Sequence, residues 1–172
     1  MPDAPSAAQS FSHVRDGLRN MEWGRMLLTE MAKATPDDKF YEVPCEGGNH
    51  AAWNIGHIAV TDDMIRAQLG GGEPVLSTEW HEMFKGGSVC KPGAKGHPSR
   101  EELLDGLARS RAAVVAWLSG LSESELNEPL TGGMTQFAQD RIMLMGSLAS
   151  HEAFHAGQMS AARRVFGMPP LF

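Results

Sequence analysis

Apolar residues along this chain recur at three-, four- and seven-residue steps and almost nowhere alternate with polar ones. That is the period of a helix face rather than of a strand. Val14, Leu18, Met21, Leu28 and Met31 predict a first helix from about Ser10 to Ala34, stopped by Pro36. Pro44 to Gly48 reads as a linker. Asn49 then suits the cap of a second helix, His50 to Leu69, which Gly70-Gly71-Gly72 ends. Residues 70–98 form a long connection rich in Gly and Pro, with room for one short helix from Ser77 to Lys85. Ser99 and Glu102 make a capping box for a third helix that runs to Ser119, with Gly120 as its stop. Ser122 and Glu125 repeat that pattern over a short turn before Pro129. The fourth long helix is expected from near Thr135 to Phe166, closed by Gly167 and Pro169-Pro170.

Four long helices predict an all-α fold, a four-helix bundle. The connection between helices two and three is long enough to cross the bundle, which leaves those two parallel and gives an up-down-down-up arrangement. The chain shows no internal repeat, and 172 residues suit a single domain over 1–172.

Charge narrows the partners. With 15 basic and 21 acidic residues the net charge is −6, and Arg163-Arg164 is the one adjacent basic pair, so no stripe exists to neutralise nucleic-acid phosphates. No apolar run approaches the roughly 18 residues of a membrane span. The N-terminus, Met1 to Ser6, lacks the basic and apolar regions of a signal peptide. Cys45 and Cys90 are the two cysteines, and in a chain without a leader they read as free thiols in the cytoplasm.

Candidate chemistry concentrates in the histidines. His151 and His155 lie four apart, on one helix face, where both imidazoles can reach a single metal ion. Leu144, Leu148, His151, His155 and Ala162 form one stripe, so the pair continues the apolar face into the core. His151-Glu152-Ala153-Phe154-His155 also matches the HExxH string of zinc proteases. Such enzymes need a third ligand further on, and the stretch from Ala156 to Gly167 holds no His, Asp, Glu or Cys. The third ligand is therefore expected upstream, at His57, which shares a stripe with Trp53, Val60 and Met64 on helix two. Three imidazoles leave coordination positions open, as catalytic sites do. Glu152 reads either as a general base on metal-bound water or as an ordinary exposed helix charge. His50 reads as a capping or surface residue, and His13, His81 and His97 as solvent-exposed.

Trp53-Asn54-Ile55-Gly56-His57-Ile58-Ala59 and His151-Glu152-Ala153-Phe154-His155-Ala156-Gly157-Gln158, with the helix order and the long middle connection, resemble the DinB-like superfamily. The resemblance implies an up-down-down-up bundle that binds a divalent ion through His57, His151 and His155, often as a homodimer. Some members are metal-dependent transferases that use a low-molecular-weight thiol such as bacillithiol or mycothiol, including a maleylpyruvate isomerase. A metal with an open position can lower the pKa of a thiol and present a thiolate to an electrophile. Trp53 can wall such a pocket and stack on a flat small-molecule substrate, or serve as a core aromatic. Gln158 can bond a ligand, or make a buried bundle contact. Three imidazoles suit Zn, Ni, Fe and Cu alike. The alternatives are a metal-dependent hydrolase, a non-catalytic metal-stabilised stress-response bundle, and a helical interaction protein without metal. Small residues on helix four, Gly146, Ala149, Ala153 and Gly157, permit close helix approach within the bundle or across a dimer.

Overall fold

The computed structural model describes residues 7–171, with side chains from His13 onward; the expected absence of a signal peptide falls on residues outside this range. Among the described residues the chain is all-helical, with no strand. Its helices are α1 (Ala7–Ala34), α2 (Asp37–Phe40), α3 (Ala51–Gln68), α4 (Thr78–Phe84), α5 (Arg100–Gly120), α6 (Glu123–Leu126) and α7 (Arg141–Val165), with a 3-10 turn over Gly132–Gln136. The four long ones are those that the apolar periodicity predicts. None of the helices is long and apolar enough to cross a membrane.

The most extensive packing joins α1 to α7 and α3 to α5. Gly17 faces Met145, Gly24 faces Ala149 and Glu152, and the Arg163 guanidinium reaches the Ala34 carbonyl at 2.7 Å. Rising numbers meet rising numbers, so α1 and α7 run in the same direction. Asp62 meets Arg111 and Gly71 meets Trp117, which gives α3 and α5 the same relation. His57 faces His151 and Asn54 faces His155, so α3 and α7 are antiparallel.

Several expected boundaries move, each for a local reason. His50, not Asn49, caps α3: its Nδ1 accepts from Trp53 N at 2.9 Å while its Nε2 donates to the Lys91 carbonyl at 3.0 Å. The fourth long helix begins at Arg141 rather than near Thr135, because Asp140 is the cap and accepts from Met143 N at 2.7 Å. The chain before it is tied back by Leu130 N to the Gln139 carbonyl. Gly120 is helical, and the stop is Leu121, whose backbone is extended. Gly167 closes α7 as expected, at φ +73°, with its N–H on the Arg164 carbonyl.

The second long helix departs most from an amphipathic pattern. Every residue of α3 from Ala51 to Asp63 is buried, polar ones included. Helices α1, α5 and α7 cover three sides, and α4 from the long connection covers another. Gly56 permits that cover: a Cβ there would stand 2.5 Å from the Phe84 ring. Asp63 anchors the same connection by accepting from Val75 N and Leu76 N, each at 2.9 Å at the nearer oxygen, and from Arg66 and His81. Burial works against ionisation of Asp63, but these donors outweigh it and hold the carboxyl below its ordinary value.

The core falls into two apolar clusters. One gathers Leu28, Ile55, Ile58, Phe84, Leu103 and Leu107, and the other Met21, Ile65, Val114, Leu118, Leu144 and Leu148. Each fully buried side chain of this kind contributes about 1.5–3 kcal/mol relative to exposure.

A three-histidine cluster above a buried charge quartet

His57 on α3 is 8% exposed, His155 on α7 is 4% exposed, and His151 one turn earlier is half-buried. Their ligand atoms all lie within 4.8 Å of one another. The ring orientations are fixed from behind. His57 Nδ1 donates to the Phe84 carbonyl at 2.7 Å, and the Trp53 indole stacks on the ring at 4.7 Å and 8°. His155 Nδ1 donates to Asn54 Oδ1 at 2.7 Å. Asn54 cannot present its other face, because its Nδ2 donates to the carbonyls of Asn49 and His50 at 3.3 and 3.1 Å. Both rings are thereby held as Nδ1–H tautomers, with the Nε2 lone pairs turned inward.

His155 Nε2 stands 3.1 Å from His151 Nε2. A lone pair at that distance needs a proton or a cation facing it. Two nitrogens bound to one tetrahedral ion at 2.0–2.1 Å would be about 3.3 Å apart, close to this spacing. The donor set also suits a metal in its protonation. Burial, then repulsion from His57, lowers the His151 pKa to about 4, against the pull of Asp62. Burial, then His151 and His57, lowers that of His155 to about 3. Burial lowers His57 as well, against the Phe84 carbonyl. All three are neutral at pH 7, the form that coordinates.

Beside this cluster lie four charged residues, one from each long helix. Arg25 on α1 donates to Glu152 Oε1 at 2.6 Å and to Asp62 Oδ2 at 3.0 Å, with a further bond to the Leu107 carbonyl. Arg111 on α5 lies 2.8 Å from Asp62 Oδ2 and 2.8 Å from Glu152 Oε2. Asp62 on α3 and Glu152 on α7 are thus both bridged by two guanidiniums. The quartet is neutral in sum and sits between the two apolar clusters: Met21 and Leu28 flank Arg25, Ile58 and Ile65 flank Asp62, Leu107 and Val114 flank Arg111, and Leu148 and Ala156 flank Glu152. Because Asp62 and Glu152 belong to the helices that carry the histidines, the quartet helps set the separation of α3 and α7 at the cluster.

The family model described as the DinB superfamily matches residues 20–159. The chain belongs to the DinB superfamily. Among solved structures, this DinB chain is similar to one titled "Crystal structure of the conserved protein of locus from Enterococcus faecalis", at 20% identity and a TM-score of 0.65. That match covers 94% of this chain and 98% of the other, and it shows the fold alone. No curated protein matches.

The DinB fold brings together His57, His151, His155 and Trp53. Glu152 is no exposed helix charge: it is fully buried, and burial pushes its carboxyl up against the pull of Arg25 and Arg111. Gln158 approaches the His155 ring, but its buried Oε1 has no well-formed hydrogen bond. The same side chain borders a cavity of about 250 Å³ together with exposed Cys45. Cys90 sits at the start of α3, where its sulfur accepts from His50 N at 3.4 Å and burial raises its pKa. His50 is buried, and burial lowers its pKa to about 4. His81 and His97 are not solvent-exposed as expected: His81 bonds Asp63, and His97 packs edge-on against His50 at 5.0 Å. His13 is exposed, as expected.

Asn54, the Phe84 carbonyl and the quartet are the working parts that sequence reasoning missed. A signal for two of them was present. Asn54 lies one turn before His57, and Asp62 follows the apolar run Ile58-Ala59-Val60 on the same helix. Buried charges demand partners, and the partners had to come from other helices.

Proposed function

We propose that this protein is a divalent-metal-dependent DinB enzyme, an up-down-down-up four-helix bundle whose His57, His151 and His155 hold Zn, Ni or Fe and whose substrate is a small molecule. We place it in the cytoplasm, as a homodimer without nucleic-acid or membrane partners. The observation that carries the metal centre is the pair of backing hydrogen bonds, Asn54 to His155 and Phe84 to His57, which turn neutral Nε2 atoms toward one another. A divalent ion held there supplies Lewis acidity, enough to ionise a thiol at neutral pH. The reaction that best suits three neutral ligands with open positions is transfer of a low-molecular-weight thiol to an electrophile.

The chain's own residues have distinct parts in this reading. Trp53 spends one face on His57 and its indole N–H on Ser88, and so fixes that ligand. Gln158, beside the His155 ring and on the border of a cavity, is the side chain we assign to a bound molecule's polar group. Glu152 is engaged by two guanidiniums, which favours a part in positioning His151 over that of a free base, and so favours transfer over hydrolysis. A second reading, a metal that only stabilises the fold, draws support from the ligands' joining α3 to α7.

The test is to load the protein with metal and follow consumption of a thiol with an aryl halide or epoxide. Turnover that requires the metal and is lost in His57→Ala supports transfer. Metal binding without any thiol binding or turnover favours the structural role.

A further inference from the structure

We infer that the loop between α4 and α5 is a binding site for a small, multiply charged anion bearing carboxylate or phosphate groups. The chain has five lysines in all, and three of them, Lys85, Lys91 and Lys95, lie within eleven residues. From Met83 to Arg100 there is no Asp or Glu, an unbroken basic run in a protein of net charge −6. These three lysines line one cavity of about 450 Å³, together with Ser88, His97 and Glu82. Glu82 is matched with Lys85. Lys91 and Lys95 have no acidic partner among the described residues, so the cavity keeps an excess of positive charge. Like charges gathered without counter-charge repel one another, and an anion between them removes that cost.

The loop is held in shape rather than left to collapse. His50 donates to the Lys91 carbonyl, and Gly93 N donates to the Tyr41 carbonyl at 2.9 Å. Tyr41 in turn donates through its hydroxyl to the Pro98 carbonyl at 2.8 Å. A preorganised loop spends less of the binding energy on ordering. The site also connects to the histidine cluster: Ser88 Oγ accepts from Trp53 Nε1 at 3.0 Å, and Trp53 stacks on His57. An anion held here is one aromatic layer from the cluster, where it would anchor the charged end of a substrate. That last step rests on the function proposed above; the anion site does not. The protein's overall negative charge and the small number of lysines favour a small ligand over a nucleic acid.

The test is a chemical-shift titration of the metal-free protein with inorganic phosphate in one arm and citrate in the other. Shifts should concentrate at the amides of Lys85, Ser88, Lys91 and Lys95 and weaken as salt rises. The arm that binds more tightly identifies phosphate or carboxylate as the preferred group. The double variant Lys91→Gln/Lys95→Gln should bind about tenfold more weakly or worse, with its melting temperature unchanged because both side chains are exposed. Lys33→Gln, far along the chain on α1, should bind as the parent does. Absence of binding in both arms, or equal affinity in the double variant, would overturn the inference. Since no metal is present, neither outcome depends on the histidine cluster.

Discussion

Arg111→Met tests whether the buried quartet holds the four long helices together as a unit. Arg111 bridges Asp62 and Glu152, with contacts of 2.8 Å to each, and the side chains are 9%, 3% and 1% exposed. Removal of the guanidinium leaves two buried carboxylates to share Arg25, an uncompensated negative charge in a dry setting. Breaking a buried pair in this way costs about 3–5 kcal/mol. For a domain of this size that corresponds to a fall of about 6–20 °C in melting temperature. Urea unfolding at pH 7 measures it, with an unchanged m-value certifying that the unfolding reaction is the same one. The double variant Arg111→Met/Glu152→Met keeps Arg25 matched with Asp62 and is neutral. It should recover most of the loss and come within about 2 kcal/mol of the parent. The deficit of the single variant should shrink as pH falls, because its surplus carboxylate can take up a proton when folded. A single variant within about 1 kcal/mol of the parent, or a double variant with the two losses added, would refute this reasoning.

Three further outcomes follow from the same contacts. Gly56→Ala drives a methyl into the Phe84 ring and should cost about 1–3 kcal/mol, read by thermal melting; a neutral result would mean that α4 is free to lift away. Asn54→Leu removes the acceptor behind His155 without touching a ligand and should weaken metal affinity about 10- to 100-fold, measured by competition with a chelator; unchanged affinity would sink the orientation argument. For the metal-free protein, stability should fall with pH between about 6.5 and 4. His50, His151 and His155 stay neutral when folded down to about 4, 4 and 3, while the unfolded chain binds protons from about 6.5 downward. The unfolded state then holds more protons, so each such histidine removes about 1.4 kcal/mol per pH unit across that window. Equal urea midpoints at pH 7 and pH 5 would contradict this.

The sequence made some of this visible and hid the rest for physical reasons. Apolar periodicity located the four long helices because a face buried along its length repeats every three or four residues, as Leu144, Leu148, Glu152 and His155 do. The three histidines were legible for the same reason, since each continues an apolar stripe. On α3 the bounds were legible, but burial on every side, polar residues included, hid which of its polar residues are interior. Periodicity failed on the start of α7: Thr135 looked sufficient, but Asp140 is the residue whose carboxylate reaches the right N–H. The quartet stayed hidden because its members, Arg25, Asp62, Arg111 and Glu152, are scattered over four helices and nothing in the sequence pairs them. The Phe84 carbonyl carries no side-chain signature at all, so only the fold reveals it as the partner of His57.

In the function proposed here, His57, His151 and His155 hold one divalent ion. Calorimetric titration of metal-stripped protein with Zn²⁺ tests it most directly, alongside His151→Ala and the exposed control His13→Ala. One ion per chain is expected for the parent and for His13→Ala, and a loss of at least about 100-fold in affinity for His151→Ala. Absence of Zn²⁺, Ni²⁺ and Fe²⁺ binding by the parent, or equal affinity in His151→Ala, would contradict it.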